Sequence, residues 1–235
     1  MKYYSQYCQD FLIDILFSKK RDGIFLDIGA NDGISFSNTF FFEKERNWTG
    51  LCIEPHTDIF KKCVKSRNCY LENCCIAETE KMVTFRKISG ADMLSGIVEY
   101  MDEKAIERIE NHINTHGGSY VDVEIESCNI NKLIKKYELN KIDFCSIDVE
   151  GAEYEIVKSI DFEKTTITAF AIEGNDKELT QFLEEKGYIF IPSENDVFYV
   201  KKGLKRIPLF SLLVKLYVLD WKIWRRLPKW IRRNR

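Results

Sequence analysis

Residues 25–33 read FLDIGANDG, an apolar run that ends in a turn containing two glycines. A second apolar run, residues 50–53, ends at Glu54, 21 positions after Gly33. In doubly wound α/β sheets, a glycine turn after the first strand lets the backbone approach a nucleotide. An acid after the second strand accepts hydrogen bonds from the ribose hydroxyls. The two runs together predict an adenosine-binding site.

The glycine spacing argues against a dinucleotide or a nucleoside triphosphate. The motif G-x-G-x-x-G needs three glycines to seat a pyrophosphate, and residues 29–33 hold two at another spacing. The P-loop motif G-x-x-x-x-G-K-[ST] is absent from the sequence. Asp27 and Asp32 suit a ligand that carries an ammonium and a sulfonium. S-adenosylmethionine therefore fits better than NAD.

Length and composition predict one α/β domain over residues 1–203, followed by a tail over residues 204–235. The 235 residues are 45% hydrophobic, which is enough for one sizeable core. Eight cysteines show no zinc-binding spacing, and the N-terminus has no apolar signal core. We therefore expect reduced thiols in a cytoplasmic protein.

Predicted strands and helices alternate along the chain, and this predicts a doubly wound, mostly parallel sheet of seven strands with an antiparallel C-terminal hairpin. Residues 88–97 are expected to form an irregular loop. The expected strands are residues 24–28, 51–53, 69–71, 83–86, 121–127, 142–147, 167–172, 188–191 and 197–201.

Several separated motifs, taken in order, resemble the FkbM family of S-adenosylmethionine-dependent methyltransferases, which have the class I methyltransferase fold. They are YSQYCQD (4–10), FLDIGANDGISFSNTFFFEK (25–44), GLCIEP (50–55), MLSGI (93–97), IDFCSIDVEGAEYEIVKSIDF (142–162) and AIEGND (171–176). The resemblance implies O-methylation of a hydroxyl, typically on a sugar or a secondary metabolite.

The cofactor residues follow from the strand ends and from the resemblance. Glu54 is the expected ribose ligand, unless it only serves as a helix N-terminal acid. Gly29 and Gly33 should approach the methionine part, with Asp27 or Asn31 near its amino group. The resemblance places adenine near three further residues, Asn73, Cys74 and Ile76.

Three acids at the ends of later strands are the catalytic candidates: Asp148, Glu150 and Glu173. Transfer of a methyl group to a hydroxyl needs a group that takes the proton, and a carboxylate fixed at the end of a buried strand can do this. Asp148 is also assigned to the cofactor site. These acids could instead cap the following helix or hold Mg²⁺.

The acceptor side is expected to include residues of the first helix and of MLSGI. Gln6, Gln9 and Asp10 could fold over the cofactor as part of a lid, or could form a solvated helix face. Ser95 is expected near the acceptor.

From Leu204 onward the sequence has ten Lys and Arg residues and one acid, so the tail carries +9 and the rest of the chain −11. Residues 208–235 mix these charges with aromatic and leucine residues, a pattern typical of a helix that lies in a membrane interface. The alternatives are packing on its own domain or on a partner, and nucleic-acid binding, which the acidic body disfavours.

Two functions remain open at this point. The first is an O-methyltransferase that acts at the inner face of a membrane on a sugar, a glycan or a glycolipid precursor, including lipid-linked acceptors. The second is a non-catalytic scaffold that works through its C-terminal helix. The sequence indicates no oligomeric state.

Overall fold

A computed structural model describes residues 2–193 and 196–226, with side chains up to residue 219. The strands are β1 (Ile24–Ile28), β2 (Thr49–Ile53), β3 (Tyr70–Glu72), β4 (Cys75–Ile76), β5 (Met82–Ser89), β6 (Gly96–Ile97), β7 (Ser119–Cys128), β8 (Lys141–Ile147), β9 (Thr166–Glu173), β10 (Tyr188–Pro192) and β11 (Asp196–Lys201). The helices are α1 (Gln9–Leu16), α2 (Phe40–Arg46), α3 (Thr57–Ser66), α4 (Glu103–His116), α5 (Ile130–Lys136), α6 (Glu153–Ser159), α7 (Lys177–Glu185) and α8 (Ile207–Arg226).

Seven strands form the main sheet in the order β10-β11-β9-β8-β1-β2-β3. Strands β3, β2, β1, β8 and β9 are parallel, and β11 runs antiparallel to β9 and β10. Strand order therefore reverses beside β1, and ligands of open α/β sheets bind at such a reversal, beyond the carboxyl ends of the strands. The predicted large, mostly parallel sheet is confirmed.

Helices cover both faces of this sheet. Successive side chains of a strand point to opposite faces, so each face presents apolar side chains that a helix layer can bury. Leu26 and Ile28 of β1 belong to the apolar cluster that α5, α6 and α7 cover. Phe25 belongs to the opposite cluster, covered by α1, α2, α3 and α8. Asp27 lies between Leu26 and Ile28 in sequence, so its side chain shares the face of Phe25.

A second sheet of four strands, in the order β4-β7-β5-β6, lies apart from the main one. The sequence predicted its two long strands but not their separate sheet. The prediction of an irregular loop over residues 88–97 is wrong for the first two and the last two of these residues, which belong to strands. Residues 88 and 89 complete β5, and Gly96–Ile97 pairs with Phe85 and Arg86. Short strands of this kind carry too few residues to show a period.

The apolar spacing of the sequence predicts a first helix over residues 6–17, but helix α1 begins at Gln9, because Cys8 has a left-handed backbone with φ 63°. Residues before it are not helical. Ser5 instead forms a parallel bridge with Phe36, in the loop that follows the glycine turn. The N-terminal segment therefore lies beside that loop.

Helix α8 packs on the domain through its first two turns. Phe210 and Val214 are fully buried in the cluster of α1 and α2, and the Phe210 ring stands edge-on to Phe198 at 5.2 Å. The sequence placed residues 204–235 in a separate tail and left packing on its own domain as an alternative. The structure buries residues beyond 203 in one of the two large apolar clusters of the domain. The last part of the predicted tail, from residue 227 onward, lies outside the described residues. No described helix is long and apolar enough to cross a membrane.

Candidate active site

The glycine turn after β1 is pressed against the end of β8. Gly29 has φ +88°, and a Cβ built on it would stand 1.8 Å from the Asp148 carbonyl oxygen. Asp148 N–H donates to the Ile28 carbonyl at 3.0 Å, and Gly29 N–H donates to the Ile53 carbonyl at 2.9 Å. Only glycine fits this approach, so the backbone itself forms the floor between β1, β2 and β8.

Glu54 is tied to the glycine turn by its carboxylate. Its oxygens accept from the backbone N–H of Asn31 at 2.8 Å and of His56 at 2.7 Å. Burial raises the pKa of Glu54 to about 7, even though both hydrogen bonds favour the ionised form. A carboxylate has about four acceptor positions. Two therefore remain for hydroxyl donors of a ligand.

A cleft of about 900 Å³, counting the open space at its mouth, lies beyond the carboxyl ends of β1, β2 and β8. It has the size of a small-molecule site. The predicted residues that line it are Asp27, Gly29, Asn31, Glu54, Cys74, Ile76, Ser95 and Asp148. The fold thus brings most of the predicted cofactor residues to one cavity. Their contact with a cofactor stays a prediction.

Two predicted cofactor residues shape the cleft without lining it. Gly33, at φ +83°, sits against Ser66 and Arg67, so it closes the turn at a distance from the cavity. The Asn73 amide donates to the Glu54 carbonyl at 2.7 Å and to the Pro55 carbonyl at 3.1 Å. Asn73 therefore holds the backbone that follows β2. The neighbouring thiol of Cys75 lines the cleft, which the sequence did not indicate.

Asp27 lines the cleft but already has partners inside the protein. Its carboxylate accepts from Thr39 Oγ1 at 2.5 Å, and Arg67 Nη1 lies 3.8 Å away. The Arg67 side chain is fully buried and also pairs with Glu43 at 2.6 Å. Burial raises the pKa of Asp27 against the opposing charge of Arg67. A contact between Asp27 and an ammonium group stays a prediction.

Asn38 is a cleft residue that sequence reasoning missed. Its amide nitrogen donates to Ser146 Oγ at 3.0 Å, and its Oδ1 atom is buried with no partner among the described residues. A buried acceptor without a donor is costly in a folded protein. It suits a ligand with a hydrogen-bond donor, such as an ammonium group. The only signal in the sequence is the polar triplet at 37–39, between the glycine turn and α2.

The predicted catalytic acids converge at the ends of β8 and β9. Asp148, Glu150 and Glu173 each offer a carboxylate oxygen, and these atoms lie within 4.8 Å of one another. The Asp148 side chain is exposed and lines the cleft. Surrounding protein raises its pKa well above the usual range, and the adjacent Glu173 raises it further. Binding of Mg²⁺ by the three carboxylates stays a prediction.

Glu150 has a left-handed backbone conformation and forms an ion pair. Its φ of 60° is unusual for a residue with a side chain, and its carboxylate forms an ion pair with Arg108 of α4. Burial and Glu173 raise the pKa of Glu150 to about 7, while Arg108 opposes the rise. Glu153 accepts from the backbone N–H of Val149 and Gly151, so it holds the loop between β8 and α6. Among the described residues, no side chain caps the first turn of α6.

The N-terminal residues predicted on the acceptor side have different positions. Gln9 donates to Asp196, the partner of Glu173 in the sheet register, so Gln9 lies beside the acids. Burial raises the pKa of Asp196 to about 6. Gln6 is exposed.

Asp10 is fully buried and accepts from Tyr4 N–H at 2.6 Å and from Ser5 Oγ at 2.5 Å. These bonds give Asp10 a structural role in the N-terminal turn, and this geometry gives no support to contact with an acceptor.

A second, wider cavity of about 1570 Å³, counting open space, lies on the outer side of the acids. Residues of α4, α6 and the loop after β9 line it, among them Tyr100, Tyr154, Arg108, Glu150 and Glu173. Asp148 lines the first cavity, and Glu150 and Glu173 line the second. Because the three carboxylates lie within 4.8 Å of one another, the two cavities are neighbours at the ends of β8 and β9. One space can hold a cofactor and the other an acceptor.

The sheet, the glycine turn and the strand-end acids fit a protein of the methyltransferase class. Residues 27–190 match the methyltransferase FkbM domain, which is more than half of the chain, so the chain belongs to this family. A comparison with curated proteins gives no match.

Two solved structures are similar in fold. One is the METTL16 MTase domain, with 13% identity, a TM-score of 0.41, and coverage of 81% of this chain and 64% of that chain. The other is a human methyltransferase 10 domain containing protein, with 14% identity, a TM-score of 0.38, and coverage of 82% and 78%. The chain thus spans less than two thirds of the first of these structures.

Proposed function

We propose that this protein transfers a methyl group from S-adenosylmethionine to a hydroxyl group of a sugar or glycan acceptor. The observation that carries the proposal is the position of Asp148, which lines the same cleft as Gly29 and Glu54. Its carboxylate lies within 4.8 Å of those of Glu150 and Glu173, which line the outer cavity. Membership of the FkbM methyltransferase family supports the reaction class.

The residues of the cleft fit S-adenosylmethionine at both ends. Glu54 keeps acceptor positions for two ribose hydroxyls, and the buried Asn38 Oδ1 can accept from the ammonium group. Cys74, Cys75 and Ile76 supply an apolar wall for the adenine. When bound, the cofactor supplies an electrophilic methyl group on a sulfonium sulfur.

The acids supply the proton acceptor for the transfer. In such a transfer the carbon–sulfur bond of the cofactor would break as the carbon–oxygen bond forms, and S-adenosylhomocysteine would leave. Asp148 or Glu150 would receive the proton of the acceptor hydroxyl. A raised pKa makes each carboxylate a stronger base than an exposed acid, which is the usual tuning of a general base. Gly29 sets the position of Asp148 through the backbone contact between β1 and β8.

The outer cavity favours a neutral, hydroxyl-rich acceptor. Its lining holds five acids, Asp102, Glu150, Glu153, Glu173 and Asp176, against two bases, Lys104 and Arg108. Arg108 is already paired with Glu150. A phosphate would meet net repulsion there, whereas hydroxyl groups can donate to the carboxylates. Tyr100 and Tyr154 offer aromatic surface beside them.

The test is turnover of S-adenosylmethionine against a panel of neutral sugars and glycans, with the wild type and Asp148→Asn. Loss of a general base lowers the rate by about 10² to 10⁴. We expect this loss in kcat with little change in cofactor affinity, because asparagine keeps the shape of Asp148. Full turnover by both Asp148→Asn and Glu150→Gln would refute the assigned base. Cofactor binding without turnover on any acceptor would favour the scaffold alternative.

A further inference from the structure

As far as residue 219, where the described side chains end, helix α8 has two apolar faces, and one of them packs on the domain. Phe210 and Val214 point into the core. Leu209, Leu212, Leu216 and Leu219 are spaced by three, four and three residues, so they share one side of the helix. A rotation of 100° per residue places this leucine stripe almost opposite Phe210 and Val214.

The leucine stripe is a continuous exposed apolar surface. Each of its four side chains is between 45% and 55% exposed. Single exposed apolar side chains are common on proteins, but a continuous row marks a surface that binds something. The first two turns of α8 are fixed on the domain by buried residues, so the stripe is presented on a rigid support.

The positive charge of the tail favours an anionic surface as the partner of the leucine stripe. From Leu204 onward the sequence carries +9, and the rest of the chain carries −11. A second copy of α8 would bring two strongly positive segments together, which opposes a helix pair along this stripe. An anionic lipid surface attracts the tail at roughly 1 kcal/mol for each basic residue near the headgroups. The same surface repels the acidic body, so the protein would approach it with α8 first.

We propose that the outer face of α8 binds the interface of an anionic lipid bilayer, with the four leucines entering the headgroup region and the basic residues lying among the headgroups. The part of α8 that packs on the domain stays in place. This interaction does not depend on the transferase reaction, and it would hold the cleft near acceptors that are attached to lipids.

The test uses the full chain and sedimentation with vesicles of phosphatidylcholine, with or without about one third phosphatidylglycerol. We expect binding only to the anionic vesicles, and about tenfold weaker binding when salt rises from about 0.05 M to about 0.5 M. The double variant Leu212→Gln with Leu216→Gln should weaken binding about tenfold, because two exposed leucines no longer enter the interface.

The matched control is Val64→Gln with Met82→Gln, which removes two side chains that are 49% and 58% exposed on α3 and β5. It should bind vesicles like the wild type, and circular dichroism should show both double variants folded. Equal binding by the leucine variant, or equal binding to neutral vesicles, would overturn the proposal. A different outcome is also informative: the wild type does not bind vesicles but forms a dimer, and the leucine variant is a monomer. This result would overturn the proposal and show that a second copy covers the stripe.

Discussion

Replacement of Gly29 by alanine tests the contact on which the site is built. The new Cβ would have to move about 1.2 Å to reach even 3.0 Å from the Asp148 carbonyl oxygen, because it starts at 1.8 Å. That carbonyl belongs to backbone, which cannot swing aside. Strands β1 and β8 would therefore separate, and the hydrogen bond from Asp148 N–H to the Ile28 carbonyl would lengthen from 3.0 Å.

Two effects lower the stability of the Gly29→Ala variant, and they add. A side chain at φ +88° costs about 1 to 2 kcal/mol. Overpacking against fixed backbone costs about 1 to 3 kcal/mol more. The total of about 2 to 5 kcal/mol corresponds to a fall in Tm of about 4 to 20 °C for a domain of this size. Cofactor binding should be lost as well, since the floor of the cleft moves.

Gly187→Ala is the matched control for the backbone cost alone. Gly187 has φ +87°, and a Cβ there meets nothing within 4 Å. This variant should therefore lose only about 1 to 2 kcal/mol and keep its affinity for the cofactor. Thermal unfolding followed by circular dichroism, with calorimetric titration, measures both variants. Equal Tm values and equal cofactor affinities for the two would refute the close contact between β1 and β8.

Three further predictions concern single side chains. Because burial raises the pKa of Glu54 to about 7 and the ionised form accepts better from hydroxyls, affinity for S-adenosylmethionine should rise from about pH 6 to about pH 8. The pH dependence should vanish in Glu54→Gln, and a dependence kept in that variant would assign it to another group. Phe210→Ala should cost about 3 to 5 kcal/mol in a thermal unfolding assay, since Phe210 is fully buried; a loss below about 1 kcal/mol would separate α8 from the core. Arg108→Gln should raise the pKa of Glu150 above about 7 and move the pH–rate profile of kcat to higher pH; an unmoved profile would exclude Glu150 as the base.

The local pattern of the sequence was enough to bring most of the predicted cofactor residues to one cleft. Gly29 and Glu54 are each adjacent to a strand, and the ends of neighbouring parallel strands meet at one edge of a sheet. The same reasoning placed Asp148 and Glu173 together, and the structure brings them there. These predictions needed only the positions of strand ends, which apolar runs mark well.

The rest of the site depends on contacts between segments that are distant in the sequence. The periodicity of apolar residues does not reveal such contacts. Gln9 bonds Asp196 across 187 positions, and Arg108 reaches Glu150 from a helix inserted between strands of the second sheet. Helix α8 was predicted as a separate tail for a related reason. Its composition shows that it is apolar and basic, but only the packed domain shows which side is buried.

Calorimetric titration of the full chain with S-adenosylmethionine tests the central claim most directly. The protein should bind this ligand and S-adenosylhomocysteine, with far weaker binding to NAD. Gly29 and Glu54 suit an adenosine, while Asp27, which also lines the cleft, disfavours a pyrophosphate. Glu54→Ala should lose most of this affinity, since it removes the carboxylate that faces the cleft. No binding by the wild type, or equal binding after Glu54→Ala, would contradict the account.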